Sequence, residues 1–272
     1  MVRLIIAFLV CCLATPGWTQ TQPSPPAVTK PAVKKSAPKA KAAQKPPQAT
    51  ESGPCRIGVI AMIGEKISVQ KVGFTVFGNE LNEVVTTGWG LDDLVVARVR
   101  TAAGGSGVRR VTYAKDAFVG VRLPGLFGST SAELKNVFQQ VTAGLSCERY
   151  VLVTPIASRF SGTNQSVSGI GLVHWNALPN RAYIFALTHI YVFDGRSFEM
   201  SKHGAASTNE ESLISRALIM EPIRGPHRQF DEALFPATPS DAINDPKFRD
   251  DTRALLATSL DRTLPDLLQP GR

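Results

Sequence analysis

Four histidines are the side chains of this sequence best suited to proton transfer or metal binding, namely His174, His189, His203 and His227. Imidazole titrates near neutral pH and is a common zinc ligand, but zinc needs three or four ligands that converge on one point. In the hairpin predicted below, His189 faces Met200, whereas His203 lies opposite Ala186 and too far along to pair with His189. We therefore predict a hydrogen-bonded core histidine at position 189 and no metal site.

Other chemical signals favour structural roles. Asp92 and Asp93 are sequence neighbours, which do not face one another on a helix, so they indicate the positive N-terminal end of a helix. The glycine-rich segment 104–107 precedes a strand, whereas a phosphate-binding loop leads into a helix. Residues 55–272 contain no P-loop, nucleophile elbow, C-x-x-C or H-E-x-x-H motif. We expect no catalytic residue and no cofactor, although an active site assembled from distant positions leaves no local motif.

The segment after the apolar run Tyr150–Ile156 is polar and contains glycine, which predicts a surface loop. Ligands of α/β sheets favour the carboxyl ends of strands. We therefore predict that Arg159, Phe160 and Asn164 form the surface that contacts a partner.

The N-terminal residues are typical of a secreted protein. Arg3 precedes a short apolar run and small residues, which predicts a signal peptide over residues 1–20; lipidation at Cys11 or Cys12 is the alternative. Residues 21–54 are rich in Pro, Ala and Lys and predict a disordered tether. The tether is either a solvated spacer or a weak electrostatic contact with anionic envelope polymers or lipid headgroups. No transmembrane helix is expected in the mature chain.

The positive charge is concentrated in that tether. The chain carries +8 in total; residues 21–54 contribute +5 and Arg3 contributes +1, which leaves +2 for residues 55–272. A nucleic-acid partner of the globular part is therefore not expected, because such domains carry a basic patch.

Two cysteines remain once the signal peptide is removed, Cys55 and Cys147. In an oxidising compartment an isolated pair indicates a disulfide, here between the start of the first strand and the segment just before the central strand Tyr150–Ile156. The alternative is two buried free thiols. We expect a periplasmic or secreted protein.

The strongest structural signal is the β-branched and aromatic run Tyr183–Phe193, which Asp194-Gly195 follows. An Asp-Gly pair favours a two-residue type I′ turn, in which both central residues have positive φ. The run is apolar on both faces, which predicts cover above and below the strand. The turn predicts three cross-strand pairs: Phe193 with Arg196, Tyr191 with Phe198, and His189 with Met200.

Amphipathic spacing predicts four helices between and after the strands, at about 91–103, 130–143, 208–218 and from 246 to a stop at Pro265. Thr130 and Thr208 each precede a glutamate by three residues and predict capping boxes. Asp245-Pro246 predicts an N-cap followed by Pro at the first helical position. Together these elements indicate the α/β (α+β) class, with residues 55–272 as a single domain in which helices pack on a mixed sheet around the central Asp-Gly hairpin.

The order of elements, with Ile57–Ile60, Tyr150–Val153 and a last helix ending at Leu264-Pro265, resembles the α/β domains at the amino terminus of TolB and in curli-secretion and penicillin-binding-protein-activator lipoproteins. The runs Val72–Asn79 and Gly88–Asp93 also resemble secreted proteobacterial proteins with no assigned function. The first resemblance implies a non-enzymatic adaptor or assembly factor. We expect an envelope adaptor or accessory factor that binds a protein partner; the alternatives are an envelope hydrolase and a small-ligand-binding module.

Overall fold

A computed structural model describes residues 53–73, 78–86, 88–105, 107–124, 130–176, 181–208 and 222–269, all of which belong to one compact unit. The predicted signal peptide and nearly all of the predicted tether lie outside these ranges. The strands are β1 (Cys55–Ala61), β2 (Lys66–Val72), β3 (Glu80–Val85), β4 (Val108–Arg110), β5 (Cys147–Pro155), β6 (Ala157–Arg159), β7 (Ser166–Ser168), β8 (Ile170–Trp175), β9 (Arg181–Ala186), β10 (Thr188–Asp194), β11 (Met200–Ala205) and β12 (His227–Phe230). The helices are α1 (Leu91–Ala102), α2 (Ala132–Val141), α3 (Asp241–Asn244) and α4 (Pro246–Leu268), with a 3₁₀ turn at Glu232–Leu234.

The strands form two mixed five-stranded sheets and a small hairpin. Sheet A has the order β11-β10-β5-β1-β4, with β1 parallel to β4 and β5, and β10 antiparallel to β5 and β11. Sheet B has the order β12-β9-β8-β2-β3, and its one parallel pair is β2 with β8. Strands β6 and β7 form the hairpin. The predicted α+β class is confirmed, with two sheets where the sequence suggested one.

The two sheets share a core that helices α1 and α4 complete. Leu91, Leu94, Val95 and Val99 form the apolar stripe of α1 and are buried in the same cluster as apolar residues of both sheets. Helix α2 and the segment before it cover the other face of sheet A through Phe138 and Phe118. The β6–β7 hairpin covers the other face of sheet B. Strands β5, β9 and β10 are therefore covered on both faces, as their continuous apolar sequences predict.

A disulfide joins Cys55 and Cys147, as predicted, with the two Cα atoms 4.5 Å apart. The two residues are register partners at the start of the parallel strands β1 and β5. The bond therefore closes a long loop, since the two cysteines are 92 residues apart in sequence.

The apolar run from 181 to 194 is divided at Leu187 between two sheets. Strand β9 ends at Ala186 in sheet B, and β10 begins at Thr188 in sheet A. Three backbone hydrogen bonds hold the crossing point: Leu187 N–H donates to the Gly169 carbonyl (2.7 Å), Gly169 N–H to that of Ile156 (3.1 Å), and Ile156 N–H to that of Leu187 (3.1 Å). Gly169 has φ +67°, a conformation that favours glycine. We call these three residues the sheet junction.

The turn of the β10–β11 hairpin differs from the predicted two-residue turn. The Asp194 carboxylate accepts hydrogen bonds from the backbone N–H groups of Arg196 and Ser197, and the residue with positive φ is Phe198 at 54°. The Asp194 side chain thus builds a longer turn, an arrangement for which Asp is well suited. The predicted pairs were wrong as a result, because the observed pairs are Phe193 with Met200, Tyr191 with His203 and His189 with Ala205.

Two helix termini also differ from expectation. Ser131, not Thr130, caps α2 by accepting a hydrogen bond from Leu134 N–H, while the Thr130 hydroxyl accepts one from Met200 N–H. Helix α4 begins with the predicted Asp245 cap but continues through Pro265 to Leu268. Buried Leu264 and Leu268 on the core side favour this continuation.

The helix predicted at 208–218 lies almost entirely outside the described residues. No helix in the described ranges is long and apolar enough to cross a membrane.

Reduction of the disulfide should destabilise the domain. The loop is long, so we expect the free energy of unfolding to fall by about 3–4 kcal/mol when the bond is opened. Urea unfolding with and without a phosphine reductant measures this, with mass spectrometry to verify reduction. The double variant Cys55→Ser/Cys147→Ser is the control and should not respond to the reductant. An unchanged midpoint in fully reduced wild-type protein would contradict the prediction.

Gly195 should not tolerate a side chain, because a Cβ atom there would lie 1.9 Å from the Cys147 carbonyl oxygen. We expect Gly195→Ala to lower the free energy of unfolding by about 2–3 kcal/mol, since backbone must move. Gly204→Ala in β11 is the matched control, because the nearest atom to its Cβ would be 3.8 Å away. Equal stability of the two variants in urea unfolding would count against the observed turn.

Candidate functional site

Two concave surfaces flank the sheet junction. One is a groove of about 340 Å³ on the face of β2 and β3, which we call the β3 groove. The other is a cavity of about 810 Å³ next to Ile156 and Leu187, which we call the arginine pocket because Arg159 and Arg224 line it. Gly169 of the junction lines the β3 groove, whereas Ile156 and Leu187 of the junction line the arginine pocket. The junction therefore contributes to the walls of both.

Strand alternation determines which side chains face the β3 groove. Ile67 and Val69 point into the shared core, so Ser68 and Gln70 point the other way and line the groove. Register pairs Gln70 with Leu81 and Ser68 with Glu83, and paired residues of an antiparallel ladder share one face. Pro155, Ser166, Ser168, Gly169 and Ile170 also line the groove.

Two polar oxygens in the groove have unused hydrogen-bonding capacity. The Ser68 Oγ and the Gln70 Oε1 atoms are buried and have no hydrogen-bond partner among the described residues. Gln70 is 3% exposed, so its side chain is held inside the wall of the groove. A buried polar atom without a partner costs free energy, which a bound donor would recover.

The outer edge of β3 is not covered by any strand in the described part of the chain. Strand β3 is the last strand of sheet B, and no described strand pairs with its second edge. Leu81 and Val85 lie on its groove face and are 64% and 57% exposed. Ion pairs of Lys66 with Glu83 and of Lys71 with Glu80 balance the charges along this edge. The outer edge of β3 therefore combines backbone N–H and C=O groups that no described strand pairs with, exposed apolar side chains and little net charge.

The far end of the groove lies beside the end of β1. The Tyr113 hydroxyl donates a hydrogen bond to the Ala61 carbonyl, and burial raises the pKa of Tyr113 to about 12. Beyond the groove, Asp92 accepts a hydrogen bond from Ile63 N–H, and burial raises its pKa against the opposing effects of that bond and of the Arg110 charge. This hydrogen bond joins the first turn of α1 to the segment after β1. Asp92 thus has a second structural role besides its predicted one at the positive end of the helix.

The arginine pocket is lined by residues of several elements and contains no carboxylate among its described lining residues. Phe160 and Ile223 form an antiparallel bridge, and continuing that register places Arg159 opposite Arg224. Neither guanidinium forms an ion pair with a described carboxylate. The Thr188 hydroxyl, in a residue that is 0% exposed, has no hydrogen-bond partner in the described part of the chain.

The predicted partner surface of Arg159, Phe160 and Asn164 is only partly available. Arg159 and Asn164 are exposed, but Phe160 is 0% exposed and packs against Trp175 and Tyr183 on sheet B. Phe160 was wrongly predicted to face solvent, because the polar residues around it masked its role as the anchor of the β6–β7 hairpin. The pairing of Arg159 with Arg224 could not be inferred, since it depends on a bridge between distant segments.

His189 and His203 are direct neighbours, which corrects the prediction that they lie too far apart. The His189 Nε2 and His203 Nδ1 atoms are 3.0 Å apart, and both rings pack against Tyr191. The longer turn shifts β11 along β10 and brings His203 opposite Tyr191. Burial, and then the charge of His203, lower the pKa of His189 to about 4. The described residues contain no group of three or more His, Cys, Asp or Glu side chains suited to a metal ion.

The other aromatic and histidine positions are structural. The Trp89 ring, just before α1, packs 5.4 Å from that of Phe248 in α4. His174 packs against Phe235, and the His227 Nδ1 atom is 2.8 Å from the Gly225 carbonyl oxygen.

Comparisons with known proteins add little to this description. No family model matches the chain, and no curated protein matches it. Among solved structures, it is similar to the crystal structure of protein XCC0632 from Xanthomonas campestris, of the family DUF330. That similarity has 11% sequence identity and a TM-score of 0.29 over 81% of this chain and 85% of the other. The resemblance to TolB and curli-secretion domains is not among these findings.

The His189 pKa predicts a loss of stability in mild acid. The unfolded chain binds a proton at this side chain near pH 6.5, whereas the folded protein does so only near pH 4. The free energy of unfolding should therefore fall as the pH drops through this window, by about 1–2 kcal/mol after allowing for partial exposure. Urea unfolding from pH 7.5 to 4 should show a steeper fall in the wild type than in His189→Gln. Parallel pH profiles would refute the assignment.

Proposed function

We propose that this protein is a non-enzymatic adaptor or accessory factor of the cell envelope whose domain binds an extended segment of a protein partner along the edge of β3. The observation that carries the proposal is the outer edge of β3, with which no described strand pairs, beside a groove whose Ser68 and Gln70 oxygens have no partner among the described residues. Exposed edge strands normally carry devices that block pairing, because they are templates for another strand. An edge that retains Leu81 and Val85 on its surface is suited to binding such a strand.

The geometry defines the chemistry of the segment. Its backbone would pair with the free N–H and C=O groups of β3, which is the general mode of strand addition. Alternate side chains would fall on the groove face, where apolar ones contact Leu81 and Val85. A side chain with an N–H or O–H donor could reach Gln70 Oε1 across the strand. Because the charges of β3 are already paired with Lys66 and Lys71, an uncharged segment fits this edge best.

The proposed location follows from the sequence and the disulfide together. A signal peptide over residues 1–20 leads to an oxidising compartment, where the bond between Cys55 and Cys147 is stable. A tether over residues 21–54 would give the domain reach within the envelope. We infer a periplasmic or secreted protein that recruits its partner with the domain. The small-ligand alternative is supported by a different surface, the arginine pocket.

Site-specific photo-crosslinking in intact cells tests the proposal. A photoreactive phenylalanine analogue replaces Leu81 in one variant and Leu234 in the other. Leu234 is a matched control because it is a large exposed apolar residue, 44% exposed, that follows β12 at the opposite edge of sheet B. We expect the variant at position 81 to crosslink to one envelope protein, and mass spectrometry to map the bond to a short uncharged segment.

Purified components then decide whether the contact is specific. A synthetic peptide of the mapped segment should bind the wild-type chain, and Leu81→Lys/Val85→Lys should weaken it by about tenfold or more, because two apolar contacts are lost. Leu234→Lys should leave the affinity unchanged. Equal crosslinking from positions 81 and 234, or equal peptide affinity of the two variants, would refute the proposal.

A further inference from the structure

We propose that the arginine pocket is a binding site for a small amphiphilic oxyanion, with a phosphate or carboxylate head and an apolar body. The site is separate from the β3 groove and doesn't depend on the adaptor proposal. It rests on a juxtaposition that the fold creates: Arg159 and Arg224, opposite one another in register, line one cavity with Thr188, whose hydroxyl has no partner among the described residues.

The arginine pair is held by backbone contacts. The Phe160–Ile223 bridge fixes the register, and Ser161 N–H donates to the Pro222 carbonyl at 2.7 Å. Arg224 N–H donates to Ser158 Oγ at 3.1 Å, which joins the two segments a second time, next to the bridge. The buried pair of residues 160 and 223 points into the sheet B core, so the two arginines share the outer face.

Such a pair is unfavourable without a counter-ion. Like charges directly opposite one another in an antiparallel ladder repel. No described residue that lines the pocket carries a carboxylate, so none of these lining residues neutralises the two guanidinium charges. A guanidinium presents two parallel N–H donors to an oxyanion, and two guanidiniums can hold different oxygens of one group. The pair is therefore suited to phosphate or carboxylate.

Thr188 gives the second, independent observation. It is fully buried at the first position of β10, lines the pocket, and its Oγ1 atom has no partner in the described ranges. Buried hydroxyls are normally hydrogen-bonded. A ligand oxygen or hydroxyl in the pocket would satisfy it.

The size and the remaining lining define the rest of the ligand. A cavity of about 810 Å³ lies in the range of small-molecule sites. Leu187, Ala206 and Pro226 supply apolar parts of the lining, in addition to the two arginines. An inorganic anion would leave these apolar residues uncovered. A ligand with an anionic head group and an apolar body would contact both the arginines and the apolar residues.

Calorimetric titration of the whole chain from Thr21 onward tests the site. The probes are phenyl phosphate and benzoate, with benzyl alcohol as the uncharged comparator. We expect saturable binding of at least one anion and none of the alcohol. Arg159→Gln/Arg224→Gln should weaken the binding by about tenfold or more. Arg262→Gln is the matched control, an exposed arginine on α4 outside the pocket, and should bind as wild type.

Thr188→Val separates binding from folding. Because the hydroxyl has no partner, its removal should leave the urea midpoint unchanged or raised. The same variant should bind the anion about threefold to tenfold more weakly. Unchanged affinity in this variant would remove Thr188 from the site.

Vesicles distinguish a lipid headgroup from a soluble ligand. Binding to phosphatidylglycerol vesicles but not phosphatidylcholine vesicles, lost in Arg159→Gln/Arg224→Gln, identifies the source of the anion as lipid. A variant with Gln at the six lysines of residues 30–45 removes the contribution of the tether. The proposal is overturned if neither the soluble anions nor the vesicles bind, or if the arginine variant binds them as tightly as Arg262→Gln does.

Discussion

The crossing of the chain between its two sheets at Leu187 is the constraint on which the rest of the structure depends. Leu187, Gly169 and Ile156 exchange three backbone hydrogen bonds, so strands of both sheets and the β6–β7 hairpin meet at one point. Leu187 is 1% exposed, and water cannot satisfy its backbone there. The junction fixes where β9 ends and β10 begins. Because the two candidate sites lie on either side of it, it also fixes the distance between the walls of each.

The two surfaces differ in what they can hold. The β3 groove lies beside a strand edge and has paired charges, which suits an extended polypeptide. The arginine pocket is larger, is lined by two arginines without a described carboxylate, and includes buried Leu187, Ala206 and Pro226, which suits a small anion. The same residues cannot serve both, since Pro155 and Ile156 place the chain between them. A protein with both surfaces could bind a partner and a small ligand at once.

The sequence predicted local structure well and long-range pairing poorly. The α1 stripe, the Asp245 cap and the burial of β5 follow from spacing and residue type, and each is confirmed. No pattern of residues marks the division of the apolar run 181–194 at Leu187, because a buried strand of either sheet has the same apolar composition. The hairpin register was wrong because the Asp194 side chain built a longer turn, which brought His203 to His189. The groove and the arginine pair arise from contacts between distant segments, which one sequence doesn't reveal.

Amide hydrogen exchange of the chain with and without its mapped partner peptide tests the central claim most directly. We predict protection of residues 80–85 on binding, because the outward N–H groups of β3 become hydrogen-bonded, and no change in β12 at the other edge of sheet B. Partner-dependent protection of β12, or none in β3, would contradict the account.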